Sequence, residues 1–195
     1  MKLPLNCSVD YINDFLSEEE SQNLYQTLID EYHLDQSRLV IEAGGRLIET
    51  DSFKILFTTE ELLKSNSHPE EVHGKSFAWK GALLTLKEKV EQFTGREYDL
   101  AMCLYYPNGG YYAVYHNDQE TSGDQTLLPS LSLGAVREFC FKENETQQVY
   151  SLSLASGSML LMGEYCQSRY MHSLPKDESC TTGRINITFR EAAFN

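Results

Sequence analysis

Tyr111-Tyr112-Ala113-Val114-Tyr115-His116-Asn117-Asp118 is the stretch from which the rest of the chain can be read. It follows a turn rich in tyrosine and glycine, Tyr105-Tyr106-Pro107-Asn108-Gly109-Gly110. In an extended strand, residues i and i+2 share a face. His116 and Asp118 can therefore aim an imidazole and a carboxylate at one point. His172, 54 residues beyond Asp118, offers a third ligand from another strand. Two His and one carboxylate on one side of a metal, with the other positions open, suit non-haem Fe(II) and O2. A lone His-x-Asp arises by chance, and a solvent-facing His116 with a core-packed His172 would explain each residue singly. The order of the pieces favours the metal: the His-x-Asp, the distal His and an arginine pair follow one another, each on a strand-like run.

The arginine pair closes the chain in Arg184-Ile185-Asn186-Ile187-Thr188-Phe189-Arg190. On a regular strand, residues 184, 186, 188 and 190 share one face, and Ile185, Ile187 and Phe189 the other. The segment thus reads polar toward a site and apolar toward a core. A charged, solvated strand face is the plain alternative; with the ligands upstream, a site is preferred. From Tyr98 onward the pattern is strand-like, with runs at 100–106, 111–116, 131–133, 138–142, 148–154, 158–162, 169–173 and 184–190. About eight short strands separated by turn signals suggest a sandwich or barrel.

Four pieces of residues 100–190 resemble the AlkB family of Fe(II)- and 2-oxoglutarate-dependent dioxygenases. They are Tyr105 with the glycine turn leading to His116-Asn117-Asp118-Gln119-Glu120; Ser132-Leu133-Gly134-Ala135-Val136-Arg137-Glu138-Phe139; Gly157-Ser158-Met159-Leu160-Leu161-Met162 followed by Gln167 and His172-Ser173-Leu174-Pro175-Lys176; and Arg184 to Arg190. The last is the most specific. The resemblance implies a mainly β fold with flanking helices: a double-stranded β-helix (jelly-roll) core over 100–195, and an N-terminal helical, α/β lid region over 1–99, in one domain. It implies Fe(II), 2-oxoglutarate and O2 as cofactor and co-substrates, with His116, Asp118 and His172 on the metal. Arginine presents a forked donor suited to a dicarboxylate, so Arg184, Asn186 and Arg190, with the Tyr105 hydroxyl, are expected to hold 2-oxoglutarate. Glu120 is expected to contact the exocyclic nitrogen of an alkylated base, and Arg137 to lie near the substrate. One departure stands out: the family's asparagine two residues before the tyrosine is Cys103 here, and a thiol is a poor substitute for an amide donor.

Composition bounds the reading. At 195 residues the chain has room for one domain with a real core. It has no long apolar run, so no transmembrane helix is expected, and its first residues, with too short an apolar segment, are not expected to act as a signal peptide. Cysteines 7, 103, 140, 166 and 180 form no C-x-x-C pair. They read as reduced thiols of a cytoplasmic or nuclear protein rather than a disulfide framework. The net charge of −13 is spread along the chain, with 10 Lys/Arg against 19 Asp/Glu in residues 1–99 and 6 against 10 in residues 100–195. Tight nucleic-acid binding normally rests on cations that neutralise phosphates, and no basic run is visible.

The N-terminal half carries packing signals. Ser17-Glu18-Glu19-Glu20 fits a capping box ahead of a helix carrying Leu24, Tyr25, Leu28, Ile29 and Tyr32. Gly44-Gly45 breaks the chain, 53–57 reads as a strand, and 58–74 as a loop or short helix. His68 and His73 are read as surface histidines. Trp79, Leu83, Leu86, Val90 and Phe93 mark a second helix, with Gly95 as its C-cap. The expected activity is oxidative dealkylation of an N-alkylated nucleobase in DNA, RNA or a nucleotide, by a monomer. A hydroxylase or demethylase of protein or small molecules is the alternative, which the acidic charge suits better. A non-catalytic jelly-roll binding module is the third reading.

Overall fold

A computed structural model of the protein describes residues 1–43, 45–65, 68–118 and 124–191. The elements run β1 (Val9–Ile12), α1 (Glu18–Asp30), β2 (Arg38–Ala43), β3 (Arg46–Thr58), α2 (Glu60–Ser65), α3 (Glu70–His73), β4 (Lys75–Ala78) and α4 (Gly81–Thr94). They continue as β5 (Leu100–Tyr106), β6 (Ala113–His116), β7 (Leu128–Gly134), β8 (Arg137–Glu143), β9 (Val149–Leu154), β10 (Met159–Met162), α5 (Cys166–Arg169), β11 (Tyr170–Leu174) and β12 (Arg184–Arg190).

The strands form two sheets. The larger has the order β1-β10-β7-β12-β5-β3-β2, with β4 pairing in parallel to β3; the smaller has the order β6-β11-β8-β9. From β5 to β12 the chain passes repeatedly between the two sheets. This is the winding of the double-stranded β-helix, and all eight strands expected of it are present. The central strand β12 pairs along its whole length with β5, and with β7 from Arg184 to Thr188.

Alternation along β12 separates two environments. Ile185, Ile187 and Phe189 pack in a cluster with Leu24 and Leu28 of α1 and Leu83, Leu86 and Val90 of α4. Full burial of a leucine such as Leu28 or Leu83 contributes ~1.5–3 kcal/mol, which holds the two helices on the outside of the larger sheet. A second cluster, containing Leu128, Phe139, Phe141, Leu160, Met162 and Leu174, draws its residues from both sheets. It supports the cavity into which the even-numbered residues of β12 project.

The expected capping box is present. Ser17 Oγ accepts from the Glu20 N–H at 3.1 Å, and Glu20 Oε2 accepts from the Ser17 N–H at 2.7 Å. Gly95 caps α4 in the left-handed region at φ 69°. Three readings need correction. Trp79 lies before α4 rather than on it, its ring stacked at 5.8 Å on Phe57 and 6.1 Å on Phe189. Phe93 stays 53% exposed. The strand read at 53–57 extends back to Arg46, because Gly45, at φ 75°, turns β2 into β3 as a hairpin.

Candidate active site

His116 ends β6, and His172 is its register partner on β11. Directly opposed residues of antiparallel strands bring their Cβ atoms to ~4.5–5.5 Å, and the two imidazole centroids lie 4.4 Å apart. Asp118, just past the end of β6, adds its carboxylate. One ligand atom from each of the three residues lies within 4.8 Å of the others. The Nδ1 of His116 is 2.7 Å from the Val114 carbonyl. A carbonyl only accepts, so Nδ1 carries the proton and Nε2 keeps its lone pair for a metal. His172 is 5% exposed, with its ring stacked on Phe139 at 5.4 Å. Burial pushes its pKa down to about 4, against the pull of Asp118 and with help from His116 and Arg190. It is therefore a neutral ligand near pH 7. Arg190 Nη2 donates to Asp118 Oδ1 at 2.8 Å.

The ligands line a cavity of about 50 Å³ together with Met102, Leu104, Tyr106, Arg184 and Asn186. Arg184 is 2% exposed, and among the described residues no carboxylate pairs with it. Its Nη2 donates to Ser132 Oγ at 3.0 Å, while its buried Nε has no hydrogen-bond partner. A buried guanidinium without a counter-ion is costly, and a small dicarboxylate entering beside the triad would supply one. The donor set and this uncompensated cation fit Fe(II) and 2-oxoglutarate together.

A wider cleft of about 470 Å³ adjoins this cavity and shares Leu104, Tyr106, Ala113 and His116 with it. Its walls are aromatic: Phe53, Tyr105, Tyr106, Tyr111 and Tyr112, with Asp51 and Ser52 also lining it.

Several expected residues are placed differently. Tyr105 does not line the small cavity; Tyr106 does, because the register sets Tyr106 opposite Arg184. The guanidinium carbon of Arg184 lies 5.5 Å from the Tyr106 ring. Tyr105 packs on Phe53 at 5.9 Å instead. The position two before the pocket tyrosine is therefore Leu104, and Cys103 is buried in the helix-facing cluster. Arg137 lines neither the small cavity nor the aromatic cleft. It is 1% exposed and donates to the carbonyls of Asn108, Tyr111 and Pro175 at 3.3, 3.2 and 2.6 Å, clamping the tyrosine turn. Asn186 lines the cavity, but its amide already bonds Ser130 Oγ, the Leu131 carbonyl and Thr188 Oγ1. Arg190 sits at the metal end, on Asp118, rather than beside Arg184. Glu120 lies outside the described residues. Sequence reasoning quoted Ser132 and Gln167 within the resembling pieces but gave neither a role, and it missed Ser130; the alternation of Ser130 and Ser132 on β7 toward β12 was the available signal.

A jelly roll with a His-Asp-His cluster and a buried arginine that no carboxylate pairs with among the described residues has the fold and donor set of the 2-oxoglutarate class of iron oxygenases. The family model described as "2OG-Fe(II) oxygenase superfamily" matches residues 8–190, and the chain belongs to that superfamily. Proteins with AlkB names are among those it is similar to. Alpha-ketoglutarate-dependent dioxygenase alkB homolog 3 of Bos taurus is 32% identical over 122 residues, 57% of this chain and 43% of that protein. DNA oxidative demethylase ALKBH2 of Mus musculus is 29% identical, over 58% of this chain and 51% of its own. Uncharacterized protein R406 of Acanthamoeba polyphaga mimivirus is 31% identical, over 56% and 58%. The chain spans about half the length of these curated relatives. The solved structure described as "The structure of OsALKBH1" superposes with a TM-score of 0.65 at 14% identity, covering 97% of this chain and 100% of that one. That likeness supports the fold.

Proposed function

We propose that the protein is an Fe(II)- and 2-oxoglutarate-dependent dioxygenase that oxidatively dealkylates N-alkylated nucleobases. The observation that carries the reaction type is the buried, uncompensated Arg184 in the same cavity as His116, Asp118 and His172. Iron held by those three residues would supply O2 activation coupled to decarboxylation of 2-oxoglutarate to succinate and CO2; an N-alkyl carbon hydroxylated in this way leaves as an aldehyde. The chain's own residues do the rest. The Val114 carbonyl fixes the His116 tautomer. Arg190 orients the Asp118 carboxylate. Arg184 takes the far carboxylate of 2-oxoglutarate, and its burial strengthens the pairing.

The substrate assignment is supported by the aromatic cleft that opens on His116, since flat rings stack on aromatic walls. The relatives named DNA oxidative demethylase support it as well. A groove of about 480 Å³ along β2 and β3 is lined by Arg38, Lys54 and Lys75, with Glu49 and Glu70 among them. Few phosphates can be met there, so short single strands are the favoured form. Three phosphate contacts on a single strand would give a salt slope of roughly −2.

The test incubates iron-loaded protein with 2-oxoglutarate and a panel of methylated oligonucleotides, nucleosides and peptides, following succinate release and product mass. Demethylation of a short methylated strand is expected, with Asp118→Asn and His172→Gln both inactive. Oxidation of a peptide alone would overturn the nucleobase assignment. Absence of 2-oxoglutarate turnover with every substrate would overturn the reaction.

A further inference from the structure

Asp118 stands in an exposed position structurally, though not to solvent. It lies two residues beyond His116, the last residue of β6, so no strand ladder holds its backbone. Yet its carboxylate must be presented at a defined place between Arg190 and the two imidazoles. Gln167 holds the backbone. The Asp118 N–H donates to Gln167 Oε1 at 2.9 Å, and the side-chain amide of the preceding residue, Asn117, donates to the Gln167 carbonyl at 3.2 Å. Side chain and main chain of one residue thus clasp two consecutive residues of the ligand loop.

Gln167 is itself well anchored. It sits in α5, a single turn leading directly into β11, five residues before His172. Cys166, beside it, is buried in the cluster that includes Leu3 and Val9. Arg169 Nη1 donates to the Asn6 carbonyl at 2.8 Å, and the Gly163 N–H to the Ser8 carbonyl at 2.8 Å, so the N-terminal segment fastens α5 from outside. The remaining donor of Gln167, Nε2, points at Met162 Sδ at 3.8 Å. A residue tied to β10, continuous with the strand of His172 and bonded to the amide of Asp118 couples two metal ligands from different parts of the sequence.

We infer that Gln167 is a positioning residue for the metal centre, setting the Asp118 carboxylate against His116 and His172. The inference rests on the assignment of those three residues as ligands. Partners that orient ligands in this way typically change metal affinity by roughly 10–100-fold when removed.

The experiment uses Co(II) as a visible substitute for Fe(II). Affinity and the d–d absorption spectrum are measured for the parent, Gln167→Leu and Gln167→Glu, with thermal unfolding of each metal-free protein. Gln167→Leu keeps the bulk and removes the acceptor; it should bind Co(II) roughly 10–100-fold more weakly with an altered spectrum. Gln167→Glu keeps an acceptor for the Asp118 N–H and should restore most of the affinity. At saturating Co(II), 2-oxoglutarate affinity should stay at the parental value in both, since Arg184 is untouched. Should Gln167→Leu fail to fold, Asn117→Ser removes the other half of the clasp and should weaken Co(II) in the same direction. A folded Gln167→Leu, or Asn117→Ser in its place, with parental Co(II) affinity and spectrum would overturn the positioning role, even if its melting temperature fell. A parent that binds no Co(II) would overturn the ligand assignment, and this inference with it.

Discussion

Replacing Arg184 by Met should leave the ligand-free protein at least as stable as the parent while destroying its affinity for 2-oxoglutarate. Arg184 is fully buried, bonds Ser132 through one nitrogen and leaves Nε unpartnered. Burial holds its pKa down to about 10, with Tyr106 opposing and Arg137 adding repulsion. At ~1.4 kcal/mol for each pH step of displacement, confinement costs the charged guanidinium about 3 kcal/mol at neutral pH. Against this stand one hydrogen bond, ~1 kcal/mol, and the contact with the Tyr106 ring, ~0.5–1 kcal/mol. Met is unbranched and fills much of the same volume, so the balance lies between neutral and about 1 kcal/mol in favour of the variant. For a domain of this size that is ~2–4 °C or less in Tm. The loss on the ligand side is larger. A buried carboxylate deprived of its cation costs ~3–5 kcal/mol, which raises Kd by roughly two to four orders of magnitude. Urea unfolding of both proteins gives the first quantity, and calorimetric titration of 2-oxoglutarate into Co(II)-loaded protein gives the second. With 2-oxoglutarate at about 100 times its parental Kd, the parent should gain ~2.7 kcal/mol and the variant almost nothing. The reasoning fails if ligand-free Arg184→Met is destabilised by more than ~1 kcal/mol, because the cation would then be structural. It fails equally if the variant binds 2-oxoglutarate as the parent does.

Three further outcomes are expected. Tyr106→Phe should weaken 2-oxoglutarate binding by ~1 kcal/mol or more through loss of a hydroxyl beside Arg184, whereas Tyr105→Phe should not; the reverse result would show that the register of β5 against β12 is misassigned. His172 takes a proton at ~6.5 in the unfolded chain but only at about 4 when folded. The unfolded state therefore binds more protons between these values, and stability is lost as pH falls from ~6.5 toward ~4, by up to about 3 kcal/mol. Urea unfolding of metal-free parent and His172→Gln at pH ~7.5 and ~4.5 isolates this contribution, and equal losses in the two proteins would exclude it. Ser17→Ala removes the cap of α1 and should cost ~1 kcal/mol by the same assay, with 2-oxoglutarate affinity unchanged.

The local features of the chain were decided by the sequence itself. A Ser followed by three Glu builds a capping box from neighbouring atoms alone, and a glycine at φ 69° ends α4 without outside help. Alternation in Arg184–Arg190 sets polar residues on one face and apolar residues on the other, because strand geometry has a period of two. The same period puts His116 and Asp118 on one face; that His172, 54 residues beyond Asp118, joins them was legible only from the order of the motifs and their resemblance to a family, since a lone His-x-Asp arises by chance. Pairing between distant segments was another matter. Tyr105-Tyr106 carries no parity, and a shift of one residue turns a side chain to the opposite face; only the register of Arg184 against Tyr106 decides which tyrosine meets the cavity. Arg137 resembles a ligand-binding arginine until the fold brings the carbonyls of Asn108, Tyr111 and Pro175 to it. That β1 pairs with β10 and β3 with β5, making the N-terminal strands part of the large sheet, depends on edges that exist only after the jelly roll has wound. Gln167 belongs with these: its partner lies 49 residues away, and contacts of that separation are set by the closed tertiary structure rather than by any neighbouring residue.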